Sequence, residues 1–394
     1  MFKSHTHPSH LPVFAAILSF LVLCSFSGSR PSRPGRPIVR QQVPSDLALL
    51  EQTIQRTVAI DKQFFRVYTP GWEGANGAIG NAFLYAVTRD SMLLRLFSNN
   101  FSLLKMYNGG WVDDRAWVCL AEMYWWDLSG RRNKAWVDDA KKRYLEARAE
   151  GRLANRDGFW SWYNWPPNWK IEDRIFTNSN MNHMAHVACW LYEATKEKRF
   201  YNDAMLVWNG DAKFPGIEKT YYRGDGKWEG KDGPAAFGKQ LPWDGAEYCS
   251  LGAAMFKMTG DPKYKKIVVA TAKRIMDPST GWVDPEDFYQ LRMDGNGAFV
   301  HYILDAYLLA PDQLPDIPGK IAKMLDHVWS NHHGNATVVL HRLSDDGIRN
   351  GWSPTGGEDG YFVDQVGTVH AQSQAVRAFG VFAYALHEKL VNHW

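Results

Sequence analysis

The sequence predicts an all-α protein built from repeated helical hairpins, and three observations carry that reading. Apolar helical segments end in Ser/Thr turns at a regular interval. Cys119–Leu128 runs into Ser129, Val187–Ala194 into Thr195 and Leu251–Met258 into Thr259, so the turns fall 66 and 64 residues apart. Each turn opens a second helical segment, at Trp136–Ala140, Tyr201–Ala204 and Tyr264–Ile267. Strand-like runs are few and short, Val338-Val339-Leu340 being the best. Less exact relatives of the unit at Ala86–Asp90, at Ala310–Asp312 and in Val369–Leu386 bring the count to about six hairpins. Together with the export signal and the aromatic content described below, six hairpins suggest an (α/α)6 toroid with a single catalytic domain. A superhelical solenoid is the competing architecture.

In chain order, residues 1–12 are polar and carry Lys3 and three His, Val13–Cys24 is apolar apart from Ser19, and Ser25–Ser29 offers small residues for cleavage. This order reads as a secretory signal peptide over 1–28, with an uncleaved anchor as the alternative. Residues 29–46 are rich in Pro and Arg and read as a linker, leaving 47–394 for the domain. After cleavage three cysteines remain, Cys119, Cys189 and Cys249, all in apolar helical contexts. They are expected as buried free thiols, so the fold must rest on its core. The sequons at Asn100 and Asn335 agree with a secreted glycoprotein, extracellular and in the cell wall if retained there.

Gly260 is placed to cap the helix ending at Thr259, and Asp261-Pro262 to open the next. Lys+Arg 45 against Asp+Glu 42 gives a net charge of +3, too balanced for a dedicated nucleic-acid binder. The unusual feature is 18 Trp among 394 residues. Trp126, Trp136 and Trp190 fall in helical segments and read as core, whereas others sit in Gly- and Pro-rich stretches where an indole can stack on a sugar face.

The chemistry is expected at Tyr107-Asn-Gly-Gly-Trp111-Val-Asp113-Asp114-Arg-Ala-Trp117, where two adjacent carboxylates open an apolar helix. A retaining glycosidase needs two carboxyls ~5–5.5 Å apart, one as nucleophile and one as acid/base. Asp is also an ordinary N-cap, and Asp138-Asp139 and Asp345-Asp346 are internal controls without the aromatic and Gly-Gly flanks. His183 and His186 lie three apart with no third ligand in sequence and read as structural, so no metal or cofactor is expected.

These segments resemble glycoside hydrolase family 76, the endo-α-1,6-mannanases and their fungal cell-wall relatives. The resemblance rests on Asp113-Asp114-Arg-Ala-Trp117, Asp157-Gly-Phe-Trp160-Ser-Trp162, Asn178-Ser-Asn180-Met-Asn182 through Thr195, Leu251–Asp261 and Gly297–Tyr302, in order along most of the chain. Two places depart from the family pattern: Trp243-Asp244-Gly245 stands where Tyr-Asn-Gln is common, and Gly295–Phe299 lacks a lysine. The resemblance implies an (α/α)6 fold, a polysaccharide substrate of the α-mannan type, and retaining cleavage or transglycosylation of α-1,6-linked mannose. It implies Asp113 as nucleophile and Asp114 as acid/base. Trp111, Trp117, Trp160, Trp162, Asn180, Asn182, Trp243 and Asp244 are the candidate substrate contacts, acting in a monomer with no nucleic-acid or membrane partner. Other toroid enzymes (uronyl hydrolases, lyases, epimerases) and a non-catalytic glycan-binding protein are the competing readings.

Overall fold

The computed structural model describes residues 45–68, 70–106, 112–149, 178–212, 215–228, 242–277, 279, 296–332 and 366–392. Among these residues the regular structure is helical, apart from an isolated bridge between Tyr222 and Trp228. In chain order the helices are α1 (Ser45–Val67), α2 (Trp72–Thr88), α3 (Ser91–Met106), α4 (Val112–Leu128), α5 (Lys134–Ala149), α6 (Asn178–Thr195), α7 (Lys198–Asn209) and α8 (Gly216–Tyr221). They continue with α9 (Pro242–Thr259), α10 (Pro262–Ile275), α11 (Asn296–Leu309), a 3-10 turn at Pro311–Gln313, α12 (Ile317–His332) and α13 (Val366–Asn392). Helix α1 begins at Ser45, inside the segment read as linker, because Ser45-Asp46 after Pro44 is itself a helix-opening sequence.

Helices α2, α4, α6, α9, α11 and α13 pack side by side in that order, and α13 returns to pack on α2. The ring is therefore closed, which selects the toroid over the solenoid. Helices α3, α5, α7, α10 and α12 each pack outside the inner helix that precedes them, and α1 packs outside α13. Lys389 on α13 reaches Asp46 on α1 at 2.7 Å, 343 residues away in the chain. Inner helices are buried almost all round, as α2 is from Gly74 to Leu84. Outer helices bury one stripe, as α10 does with Tyr264, Ile267, Val268, Thr271, Ala272 and Ile275. Helices α2 and α13 approach so closely that a Cβ on Gly80 would lie 2.4 Å from the Val376 carbonyl oxygen, and one on Gly380 2.4 Å from the Gly80 oxygen.

The threonine turns share one chemistry, while at Ser129 the hydroxyl donates to the Trp126 carbonyl at 3.5 Å and Gly130 and Arg131 take positive φ. The Thr88, Thr195 and Thr259 hydroxyls donate to the carbonyls of Leu84, Leu191 and Met255 at 2.9, 2.7 and 2.7 Å. Each hydroxyl accepts from the amide two residues on, at 3.2, 3.2 and 3.1 Å. Gly260 then takes φ 73°, and the Asp261 carboxylate accepts from the Lys263 amide at 2.9 Å to open α10. These short turns join inner to outer helices and lie at one end of the ring. The inner helices begin at the other end.

Cys119, Cys189 and Cys249 are buried and free, as the sequence indicated. Trp126 and Trp136 are core residues, while Trp190 is only half-buried. The signal segment, the sequon at Asn335 and the run at 338–340 lie outside the described residues. The sequon at Asn100 falls within α3.

Candidate active site

Asp113 and Asp114 occupy the first turn of α4 and are half-buried. Carboxylates are favoured there because the helix N-terminus carries partial positive charge and unpaired amides. Asn180 and Asn182 lie in the opening residues of α6, and Trp243 and Asp244 in those of α9. The backbone thus carries these positions to the same end of the ring as the acidic pair. The side chains of Asn180, Asn182, Trp243 and Asp244 lie outside the described set, as do residues Trp111, Trp160 and Trp162 altogether.

Beneath this end, one side chain from each inner helix meets in a single layer: Asn76, Trp117, His183, Glu247, Tyr302 and Arg377. The Arg377 guanidinium, fully buried, donates through Nη1 to Asn76 Oδ1 and through Nε to His301 Nδ1 at 3.0 Å. It also lies 4.6 Å from the Trp117 ring centroid and 5.2 Å from that of Tyr302. The His183 ring centroid is 3.8 Å from that of Trp117, and its Nε2 is 2.7 Å from Tyr302 Oη and 3.1 Å from Glu247 Oε1. Burial, then the Arg377 charge, holds the His183 imidazole well below its ordinary value, so the ring is neutral.

Trp117, one of the candidate substrate contacts, is packed into this layer. Only 6% of it is exposed, and its indole lies against His183 and Arg377. It lies one helical turn after the acidic pair on the same helix. Both histidines of the pair are buried. His183 belongs to the layer, and His186 Nε2 accepts from Trp190 Nε1 at 3.0 Å. Among the described residues no cluster of three His, Cys, Asp or Glu is disposed to hold a metal ion.

A deeper tier lies below. Ser250 Oγ donates to Asp305 Oδ2 at 2.5 Å, and His301 Nε2 stands 3.6 Å from the same oxygen. Burial raises the Asp305 carboxyl to about 7, with Ser250 and the Arg377 charge acting in the opposite direction. Rings of Phe83 and Tyr124 flank His301 at 4.9 and 5.0 Å between centroids.

Sequence reasoning missed Glu73. It lies in the first turn of α2, beside α4, and burial raises its carboxyl to about 7, with the Asp114 charge adding to the shift. The available signal was local: Gly71-Trp72-Glu73-Gly74 repeats the pattern of an acid among Gly and Trp at an inner-helix start. Arg377 and Asn76 carried no such signal.

The sequence matches no protein-family model and no curated protein. Solved structures do match. The α-1,6-mannanase GH76A of Salegentibacter sp. HEL1_6 superposes with a TM-score of 0.63 at 14% identity, over 84% of this chain and 99% of that one. The chain has the fold of family 76 glycoside hydrolases. A family 76 mannosidase of Bacteroides thetaiotaomicron gives a TM-score of 0.58 at 13% identity, covering 86% of this chain and 100% of that one. A Salmonella enterica protein described as a possible member of family 105 gives 0.58 at 12% identity, covering 91% of this chain and 100% of that one. An inactive variant of the Salegentibacter mannanase, with two consecutive aspartates replaced by alanine, is in complex with α-1,6-mannotetrose. It gives a TM-score of 0.61 at 13% identity, over 84% of this chain and 99% of that one.

Proposed function

We propose that this protein is a secreted retaining glycoside hydrolase or transglycosidase acting on α-1,6-linked mannan-type polysaccharide. The observation that carries the reading is the Asp113-Asp114 pair at the opening of an inner helix, above the Trp117–Arg377 layer. It sits in a fold shared with α-1,6-mannanases, one of which is inactive once two consecutive aspartates are replaced. The Asp113 carboxylate attacks the anomeric carbon as the glycosidic C–O bond breaks, and the Asp114 proton passes to the leaving oxygen. The Asp114 carboxylate then takes a proton from water or from an acceptor hydroxyl. That oxygen attacks the anomeric carbon and frees Asp113. This chemistry requires no metal or cofactor.

Asp113→Asn and Asp114→Asn are expected each to lower turnover of α-1,6-mannan by at least ~10³-fold without lowering Tm. Near wild-type turnover in Asp113→Asn overturns the assignment. Following the first-formed anomer by NMR tests retention, since a β product appearing first contradicts it. Product analysis separates the rival chemistries: a lyase leaves an unsaturated sugar, and an epimerase leaves chain length unchanged.

A further inference from the structure

We propose that a groove on the outer wall of the ring, along α10, is a second binding surface that holds a polysaccharide bearing anionic groups. The proposal takes from the reading above only that the protein works on polysaccharides, and the groove shares no residue with the acidic pair.

Helix α10 turns one stripe inward, with Tyr264, Ile267, Val268 and Ile275 buried. A second stripe, Pro262, Lys265, Lys266, Val269, Ala270 and Lys273, recurs at helical spacing and forms one face. Together with Gln313 of the 3-10 turn it lines a groove of about 400 Å³. No lining residue comes from an inner helix.

Three cations and no carboxylate line this groove. Among the described residues, Lys265, Lys266 and Lys273 form no hydrogen bond or ion pair. Cations on other outer helices are paired: Arg56 with Asp326 at 2.9 Å, Arg148 with Asp203 at 2.8 Å, and Lys141 with Glu197. Even on α10, Lys263, which lies off the groove, reaches Glu218 at 3.2 Å. The nearest acids in sequence do not serve the three lysines. Asp261 accepts from the Lys263 amide, and Asp312 stays out of the lining although Gln313 is in it. Helix stability does not call for this arrangement either. Lys263, Lys265 and Lys266 crowd the N-terminal turns of α10, where the helix dipole favours carboxylates over cations. Like charges left uncompensated in one concavity raise its potential and draw in an anion.

The lining also selects among anionic partners. Lys265 and Lys273 are eight residues apart, about 12 Å along the helix. A partner that meets both carries charge at more than one point of an extended chain. No aromatic side chain lines the groove, so nucleic-acid bases have nothing to stack on. The large exposed hydrophobics among the described residues, Val58, Met92 and Val391, lie on other helices, so no apolar edge beside the lysines is offered to a membrane. Between the cations lie Val269 and Ala270, a low apolar floor for the C–H face of a sugar, and the Gln313 amide, which can donate to and accept from hydroxyls. Sugars with acidic substituents match all three features. Lysines act as point charges without the arginine fork, so they hold such a chain without fixing one geometry.

The test uses the full chain, with a heparin oligosaccharide as the anionic probe and titration calorimetry at low salt as the measurement. Replacing Lys265, Lys266 and Lys273 together by Gln is expected to weaken binding at least ~10-fold and to flatten its salt dependence. Replacing Lys62, Lys134 and Lys198 by Gln removes the same charge from exposed sites on other helices and is expected to leave binding as in wild type. An equal loss in both triple variants, or no binding by wild type, overturns the proposal. Tighter binding through the same three lysines of single-stranded DNA, or of phosphatidylserine vesicles, overturns the choice of partner and with it the proposal. Turnover of α-1,6-mannotetraose, which is neutral, is expected to be equal in wild type and the groove variant. A fall in the groove variant alone overturns the separation from the active site. A wild-type chain that leaves mannotetraose intact but binds heparin through the three lysines supports the groove and overturns the mannanase reading instead.

Discussion

Arg377 places a guanidinium on the axis of the ring and satisfies it with an amide oxygen, an imidazole and two aromatic faces. Replacing it leaves Asn76 Oδ1 and His301 Nδ1 without their donor in a site closed to water. Arg377→Met is expected to cost about 3 kcal/mol, and Arg377→Lys most of that, because an ammonium cannot reproduce the fork. Urea denaturation measures it, and a cost below about 1 kcal/mol would show that the layer is not held by this residue. Nothing in the sequence marks Arg377, because α13 is buried on nearly every side and leaves no polar stripe from which to judge which way an arginine points. Asp113 and Asp114 were legible for the opposite reason: a doubled acid among Gly and Trp at a helix start is a local pattern. Trp117 was found with them, but its contacts with His183 on α6 and Arg377 on α13 join segments far apart in the chain and carry no local signal.

At the scale of elements, the hairpin turns were readable because their chemistry is local. A threonine hydroxyl closes the last turn and receives the next amide within six residues. The partner of α1 was not readable. Its contact with α13 is between the two ends of the ring, and no short-range pattern encodes it. The closest packing is equally silent in sequence. Gly80 looks like one small residue among many in α2, yet a Cβ there would lie 2.4 Å from a carbonyl oxygen of α13. Backbone cannot yield as a side chain can. Gly80→Ala is therefore expected to lower stability by about 2 kcal/mol or more, although alanine favours a helix by about 1 kcal/mol over glycine. A variant with raised Tm would show that the two helices have room to separate.

Over the whole molecule, stability depends on pH through groups that the ring buries. The Asp305 carboxyl is raised from 3.8 to about 7, so the folded state holds this proton more tightly than the unfolded one. The contribution is full below the unfolded value and is lost as pH climbs towards 7. His183 and His301, both depressed chiefly by burial, act with the opposite sign: their contribution is present above the ordinary histidine value and lost on acidification. Asp305→Asn isolates the first effect. The Tm of this variant, relative to wild type, is expected to rise steadily from about pH 4 to pH 7. A difference independent of pH would show that Asp305 ionises freely.

The closure of α1 on α13 also sets an order of events during synthesis. Helix α1 leaves the ribosome ahead of the rest of the ring, and its partner leaves after all of it. Until then α1 has little to cover its apolar stripe, and the inner face of α2 lacks one neighbour. Contacts between such distant segments form late because the loop they close is long. A nascent chain that stops short of α13 thus presents two uncovered helices, a form open to chaperones and proteases. The Lys389–Asp46 contact marks the moment when α13 has been made and the ring can shut.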